Sequence, residues 1–258
     1  MINTYTGYQL ITRDLDVSIK RVQSQPMVQR ETEYYLENIT KVKSIDDFLG
    51  NDRLFRYAMK AHGMEDMTYA KAFIRKALEE GIDNRDSFAN KLTDTRYKSL
   101  VETFNFDRHG ENTTIFDRAQ QGTVDKYLRQ VLEEDAGSQN EGVRLALYFE
   151  RKASQIDSAY NILGDPALAT VVRTMLGLPD AIAQLDVDKQ AALIESRIDL
   201  EDFKDPKKLA EMITRFTSLW EVSNPSTPPQ SMITNLFQPP MQFGISADVL
   251  MTIAKMKR

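Results

Sequence analysis

Cysteine is missing from all 258 residues, so disulfides, thiolate nucleophiles and thiolate metal sites are excluded together. Histidine occurs only twice, as His62 and His109, which leaves little material for imidazole acid–base chemistry or a metal centre. A basic surplus is missing as well. The chain holds 33 Lys and Arg against 38 Asp and Glu, a formal charge of −5 with a pI near 5.3, which speaks against a nucleic-acid platform. No run of eighteen apolar residues exists, and Met1-Ile2-Asn3-Thr4-Tyr5 lacks the charged-then-apolar start of a secretory signal. A soluble protein without membrane insertion is the expectation. Also absent are a Gly-rich phosphate loop, a Walker pattern, a nucleophile elbow and an HExxH pair.

What is present begins with an apolar share of 41%, ordinary for a packed chain. The stretch Ser44-Ile45-Asp46-Asp47-Phe48-Leu49-Gly50-Asn51-Asp52 returns in degenerate form as Ser158-Ala159-Tyr160-Asn161-Ile162-Leu163-Gly164-Asp165-Pro166. The register is constant, since 164 − 50 and 177 − 63 both give 114, and it extends back to pair Tyr34-Tyr35 with Tyr148-Phe149. Ser44 with Asp47 is a capping-box-like start, and Gly50 suits a left-handed helix stop. Asp52 is then expected to cap the following helix, and Asp165-Pro166 to do so in the second copy. The unit therefore reads as two helices joined at a Gly-Asx corner.

In chain order, Tyr8, Ile11, Leu15, Ile19 and Val22 form an amphipathic seam at three- and four-residue steps, read as one N-terminal helix over residues 1–25. A first helical repeat unit spans 26–106, with Asp66 capping a helix that turns Met67, Ala70, Phe73, Ile74, Ala77 and Leu78 inward. Residues 107–140 read as a polar connector followed by a linking helix capped by Thr123, and 141–221 as the second unit. Residues 222–258 hold five of the nine prolines and a short terminal helix from Ser246 to Lys257. The expected fold is all-α, with two helical units related by internal duplication and flanked by terminal segments.

No catalytic, cofactor-binding or metal-binding residue emerges. His62 sits at a helix C-terminus, where a ring is favourable near the negative end of the dipole. Asp107, His109 and Glu111 alternate in a polar loop and lack the further ligands a zinc site needs. Glu133-Glu134-Asp135 reads as an exposed polar face. The apolar residues that flank the repeats, Tyr8, Ile11, Leu15, Ile19 and Val22 at one end and Leu236, Phe237, Leu250 and Ile253 at the other, are candidates for contact with a protein partner or a second copy. A strap across the two units is the competing reading, with the terminal helix as mate of the N-terminal seam. A small-molecule module using the cleft between the units, or an enzyme using scattered carboxylates, are the alternatives to an interaction protein.

Thr6-Gly7-Tyr8-Gln9-Leu10-Ile11-Thr12-Arg13-Asp14-Leu15-Asp16, Arg30-Glu31-Thr32-Glu33-Tyr34-Tyr35-Leu36-Glu37-Asn38-Ile39 and Ser87-Phe88-Ala89-Asn90-Lys91-Leu92-Thr93-Asp94, with the Lys43–Leu49 run and Tyr57-Ala58-Met59-Lys60-Ala61, resemble an uncharacterised bacterial family. Its domain is of unknown function and its genes often lie among flagellar genes of alphaproteobacteria. The resemblance implies a role near flagellar assembly, export or motility, and together with the missing catalytic motifs and the apolar flanks it makes a non-enzymatic structural or interaction protein the expectation. Flagellar components or a second copy would be its partners, with no cofactor. It would be cytoplasmic or exported through the flagellar apparatus.

Overall fold

A computed structural model describes residues 2–225. The proline-rich tail, the Ser246–Lys257 helix and the candidate contacts Leu236, Phe237, Leu250 and Ile253 lie outside the described residues. The described chain is all-α, without a β-strand. It opens with α1 (Thr4–Thr12), α2 (Leu15–Gln23), α3 (Pro26–Ile39), α4 (Ile45–Gly50) and α5 (Asp52–Ala61). There follow α6 (Lys71–Glu80), α7 (Phe88–Lys91), α8 (Thr95–Thr103) and α9 (Phe106–His109). The long α10 (Gln121–Gln139) leads to α11 (Glu141–Lys152), α12 (Ala159–Leu163), α13 (Pro166–Leu176), α14 (Val187–Glu195) and α15 (Pro206–Ser223).

Two hydrophobic cores result. The first is built around Tyr35, Phe48, Phe55, Met59, Ile74, Leu100 and Phe104 and takes Val124, Leu128 and Leu132 from α10. The second is built around Phe149, Ile162, Val171, Val172, Phe203 and Phe216 and takes Ala136 from the same helix. Helix α10 thus serves both cores in sequence. Burial of each large side chain stabilises by roughly 1.5–3 kcal/mol, against about 1 for a cap, so these clusters rather than the helix ends hold the fold.

The repeated corners agree in local chemistry. Ser44 with Asp47 and Ser158 with Asn161 are both complete capping boxes. Asn51 then caps α5 through a bond from Leu54 N, and Asp165 caps α13 through bonds from Ala167 and Leu168 N. In each copy a tyrosine from the preceding long helix donates its hydroxyl to that cap: Tyr34 to Asn51 at 3.2 Å, and Tyr148 to Asp165. Asn51, not Asp52, is the first cap, because the helix begins one residue earlier than the acidic side chain suggests. Neither Gly50 nor Gly164 is left-handed. Among the described residues the positive-φ glycines are Gly63, Gly81, Gly110 and Gly177. The corners also differ in surroundings, since a Cβ on Gly50 would meet open space and one on Gly164 would lie 3.1 Å from both Cγ2 and O of Thr93.

Several sequence-based expectations are corrected. The N-terminal seam is two helices, because Asp14 accepts from Val17 N and starts α2 afresh. Asp66 lies within a short 3-10 helix, Glu65–Met67, and α6 begins later with no side-chain cap, leaving Phe73 exposed. Thr123 is inside α10 and donates to Arg118 O rather than capping. The polar connector is folded inward: Thr113 and Thr114 are buried and donate to Asn105 O and Val42 O at 3.1 and 2.9 Å.

Helix α1 packs on α11 and α15, and α2 on α10, so the N-terminal seam has mates within the described chain. Tyr8 is in the second core, Val22 in the first, and Ile11, Leu15 and Ile19 are half-buried against them. The seam is therefore turned to the body of the protein, as a strap. Thr4 fastens its start, with N and Oγ1 donating to Glu221 Oε2 at 2.9 and 2.6 Å. Gly142 makes this closure possible: a Cβ there would lie 2.5 Å from Trp220 Nε1 and 2.7 Å from Thr4 Cγ2. Gly142→Ala is expected to destabilise by about 1–3 kcal/mol through overpacking. Gly50→Ala, with open space and an ordinary backbone, should be neutral or stabilising by up to about 1 kcal/mol. Urea unfolding of the two variants checks the contrast.

Candidate functional site

The seam between the two cores gathers buried and half-buried polar groups. Helices α5, α8, α10 and α11 bring to it His62, Arg96, Ser99, Thr103, Lys126, Arg129, Gln130, Glu133, Tyr148, Arg151 and Lys152. Glu133 is 1% exposed and is held by a forked pair of bonds, Arg151 Nε to Oε1 and Arg151 Nη2 to Oε2, both 2.7 Å. Arg129 approaches the same carboxylate at 3.3 Å and also Glu150 at 3.3 Å. Reading Glu133 as an exposed polar face was wrong. Its helix carries apolar residues on more than one side, with Val124, Tyr127, Leu128 and Leu132 all buried, and that was the available signal.

Next to this pair lies a cationic group that has no carboxylate partner at bonding distance among the described residues. Lys126 Nζ donates to Thr103 Oγ1 at 2.8 Å, and Thr103 Oγ1 in turn donates to Ser99 O, one turn earlier on α8. His62 Nδ1 lies 3.2 Å from Ser99 Oγ, while its Nε2 is buried without a hydrogen-bond partner. Burial, then the charges of Lys126, Lys152 and Arg151, hold the His62 ring well below its ordinary range and therefore neutral. Burial and the adjacent Lys152 push Lys126 down to about 8. Burial and the adjacent Arg151 push Lys152 down too. Nothing in the spacing of these residues announced the group, because they come from four helices.

On the other flank, a cleft of about 410 Å³ is lined by Gly63, Arg96, Gln130, Arg144, Tyr148 and Asp165. Arg96 is fixed there by Asp94 at 2.8 Å and by donation to Gly63 O at 2.5 Å. A second, larger hollow of about 800 Å³ runs along the N-terminal strap, floored by Leu10, Ile11, Leu132, Val143 and Trp220 and rimmed by Arg21, Asp135 and Glu141. Leu10, on the strap's outer side, is 57% exposed, and Val17, one helical turn before Arg21 on α2, is 59% exposed. His109 packs edge-on against Phe116 at 4.8 Å, and among the described residues no three His, Asp or Glu side chains gather as a metal site. No described helix is long and apolar enough to cross a membrane.

Two outcomes follow from the buried charges. Glu133→Ala leaves two guanidinium groups without their shared carboxylate and is expected to cost about 3–5 kcal/mol in urea unfolding. Below pH 6.5, the ordinary histidine value, the unfolded chain takes up a proton that folded His62 refuses. The His62 contribution to stability is therefore full above that pH and lost as the solution becomes more acidic. His62→Gln should flatten the acid side of the stability profile relative to wild type, as measured by thermal unfolding between pH 5 and 7.

No curated protein matches the chain. A crystal structure of a protein from Agrobacterium tumefaciens, a structural-genomics target, is 53% identical, covering 86% of this chain and 94% of that one with a TM-score of 0.81. Residues 61–209 match the model of a protein family of unknown function, DUF1217. That match spans more than half of the sequence and holds the whole seam from His62 to Lys152, and the chain belongs to the DUF1217 family.

Proposed function

We propose that the protein is a non-enzymatic interaction protein of the flagellar system, and that it receives an amphipathic helix of a protein partner in the hollow along its N-terminal strap. The observation that carries this reading is the pairing of an apolar floor, Ile11, Leu132, Val143 and Trp220, with exposed Leu10 at its edge and exposed Val17 one helical turn before the rim residue Arg21 on α2. A helix laid in such a groove presents apolar residues at three- and four-residue spacing and basic residues toward Asp135 and Glu141 on the rim. The flagellar setting rests on the sequence resemblance. The matched capping boxes and the repeated tyrosine-to-cap bonds support descent of the two units from one ancestral unit. The unpartnered cationic group at the seam favours, as a second reading, a small-ligand module.

Deletion of the gene in a flagellated host is expected to abolish swimming and leave growth unchanged. Leu10→Asp with Val17→Asp, both on exposed positions, should keep the fold by circular dichroism and fail to restore swimming. A photo-crosslinker at position 17 should trap a flagellar component. Full swimming in the doubly substituted strain would sink the groove as the point of contact.

A further inference from the structure

We propose that the hollow along the N-terminal strap is the seat of this chain's own segment 246–257, docked there as an amphipathic helix that a partner has to displace. The seat is argued from the chain itself, and the displacement rests on the interaction reading above.

The place where the described chain ends points to this occupant. Helix α15 stops at the lip of the hollow, where Asn224 N donates to Trp220 O at 2.7 Å, and both residues line the space. Beyond Pro225 the sequence continues for 33 residues, from 226 to 258, so a long tail sets out beside an apolar hollow of about 800 Å³. Residues 226–245 are a tether of 20 positions ahead of the segment. At roughly 3.1 Å per residue they reach about 60 Å. A helix over the 12 residues 246–257 is about 18 Å long, so it can lie along the hollow in either direction. Such a tether holds the segment at an effective concentration of about 1 mM, far above what a second copy in dilute solution supplies.

The two surfaces match in kind. The hollow presents Ile11, Leu132, Val143 and Trp220, with Ile2 and Leu10 at its edge each 57% exposed. Val249, Leu250, Ile253 and Met256 fall on one face of a helix. A helix of this length is marginal in water by itself and needs an apolar surface to form against. The charges agree as well. Lys255, Lys257 and Arg258 outnumber Asp248, the one acid at this end of the chain. On the hollow Asp135 and Glu141 outnumber Arg21, and Asp135 joins no ion pair among the described residues.

The test uses the full chain, whose single tryptophan is Trp220 and which has no cysteine. Ala254→Cys, beside the apolar face, takes a bimane label, a fluorophore that an indole quenches near contact. At an effective concentration of about 1 mM a contact with Kd near 0.1 mM is seated about nine-tenths of the time, so the label should lose more than about half of its emission. Trp220→Phe, and separately Leu250→Asp with Ile253→Asp, should each restore it, with circular dichroism as the check on folding. Diluting labelled chain with unlabelled chain needs no further variant, and quenching that persists places the tail in its own hollow. Full emission at the start, quenching that survives either substitution in a folded chain, or quenching lost on dilution, the mark of a second copy, overturns the proposal.

A photo-crosslinker at position 10, in a flagellated host, separates the proposal from the reading it rests on. It should trap a flagellar component more strongly in the Leu250→Asp, Ile253→Asp chain than in wild type. Equal trapping by the two chains overturns the displacement. With the label quenched and no component trapped by either chain, the tail stands as the occupant and the interaction reading falls.

Discussion

The carboxylate of Glu133, buried on α10 and clasped by Arg151 from α11 and Arg129 from its own helix, is the contact on which the joining of the two cores depends. Desolvating such a group is expensive, and replacing the whole set by apolar residues could be as stable or more so. What the charges add is direction. An apolar seam tolerates sliding of α11 along α10, whereas a forked guanidinium–carboxylate pair with both bonds at 2.7 Å fixes rotation and register together. With α11 so placed, Tyr148 meets Asp165, and the corner before α13 lies beside Thr93, in the segment between α7 and α8.

That placement explains why two corners with the same local chemistry occupy different environments. The capping boxes and the Asx caps need only residues within a few positions, so both copies form them. Around Gly50 there is open space. Gly164 is pressed against exposed Thr93, in the segment between α7 and α8. The copies also differ at His62 and its repeat counterpart Leu176: one is buried against Ser99 and Phe104, the other packs at the edge of the second core.

The N-terminal strap shows a second consequence of having two cores. Splitting at Asp14 lets α1 serve α11 and α15 while α2 serves α10, so one short stretch of chain touches both sides of the seam. The cost of that arrangement is visible on its outer face, where Leu10 and Val17 have no described neighbour to cover them. The inward residues Tyr8 and Val22, which spacing alone made candidates for an outside partner, are instead core.

Helix content, the corner motifs, the caps at Ser44, Ser158 and Asp165, and the inward faces of most helices were determined by the sequence itself. Each depends on spacing or on hydrogen bonds spanning three or four residues. Where a cap was misjudged, as at Asp66 and Thr123, a polar side chain that resembled a cap was already inside a turn or a helix. Which acids are buried and which cations go unpaired was decided only by the tertiary structure. Glu133 and Arg151 are 18 positions apart, and His62 and Ser99 are 37 apart. Their meeting is a property of how α5, α8, α10 and α11 cross, and no local pattern encodes an encounter between groups whose separation is set by the packing of two cores.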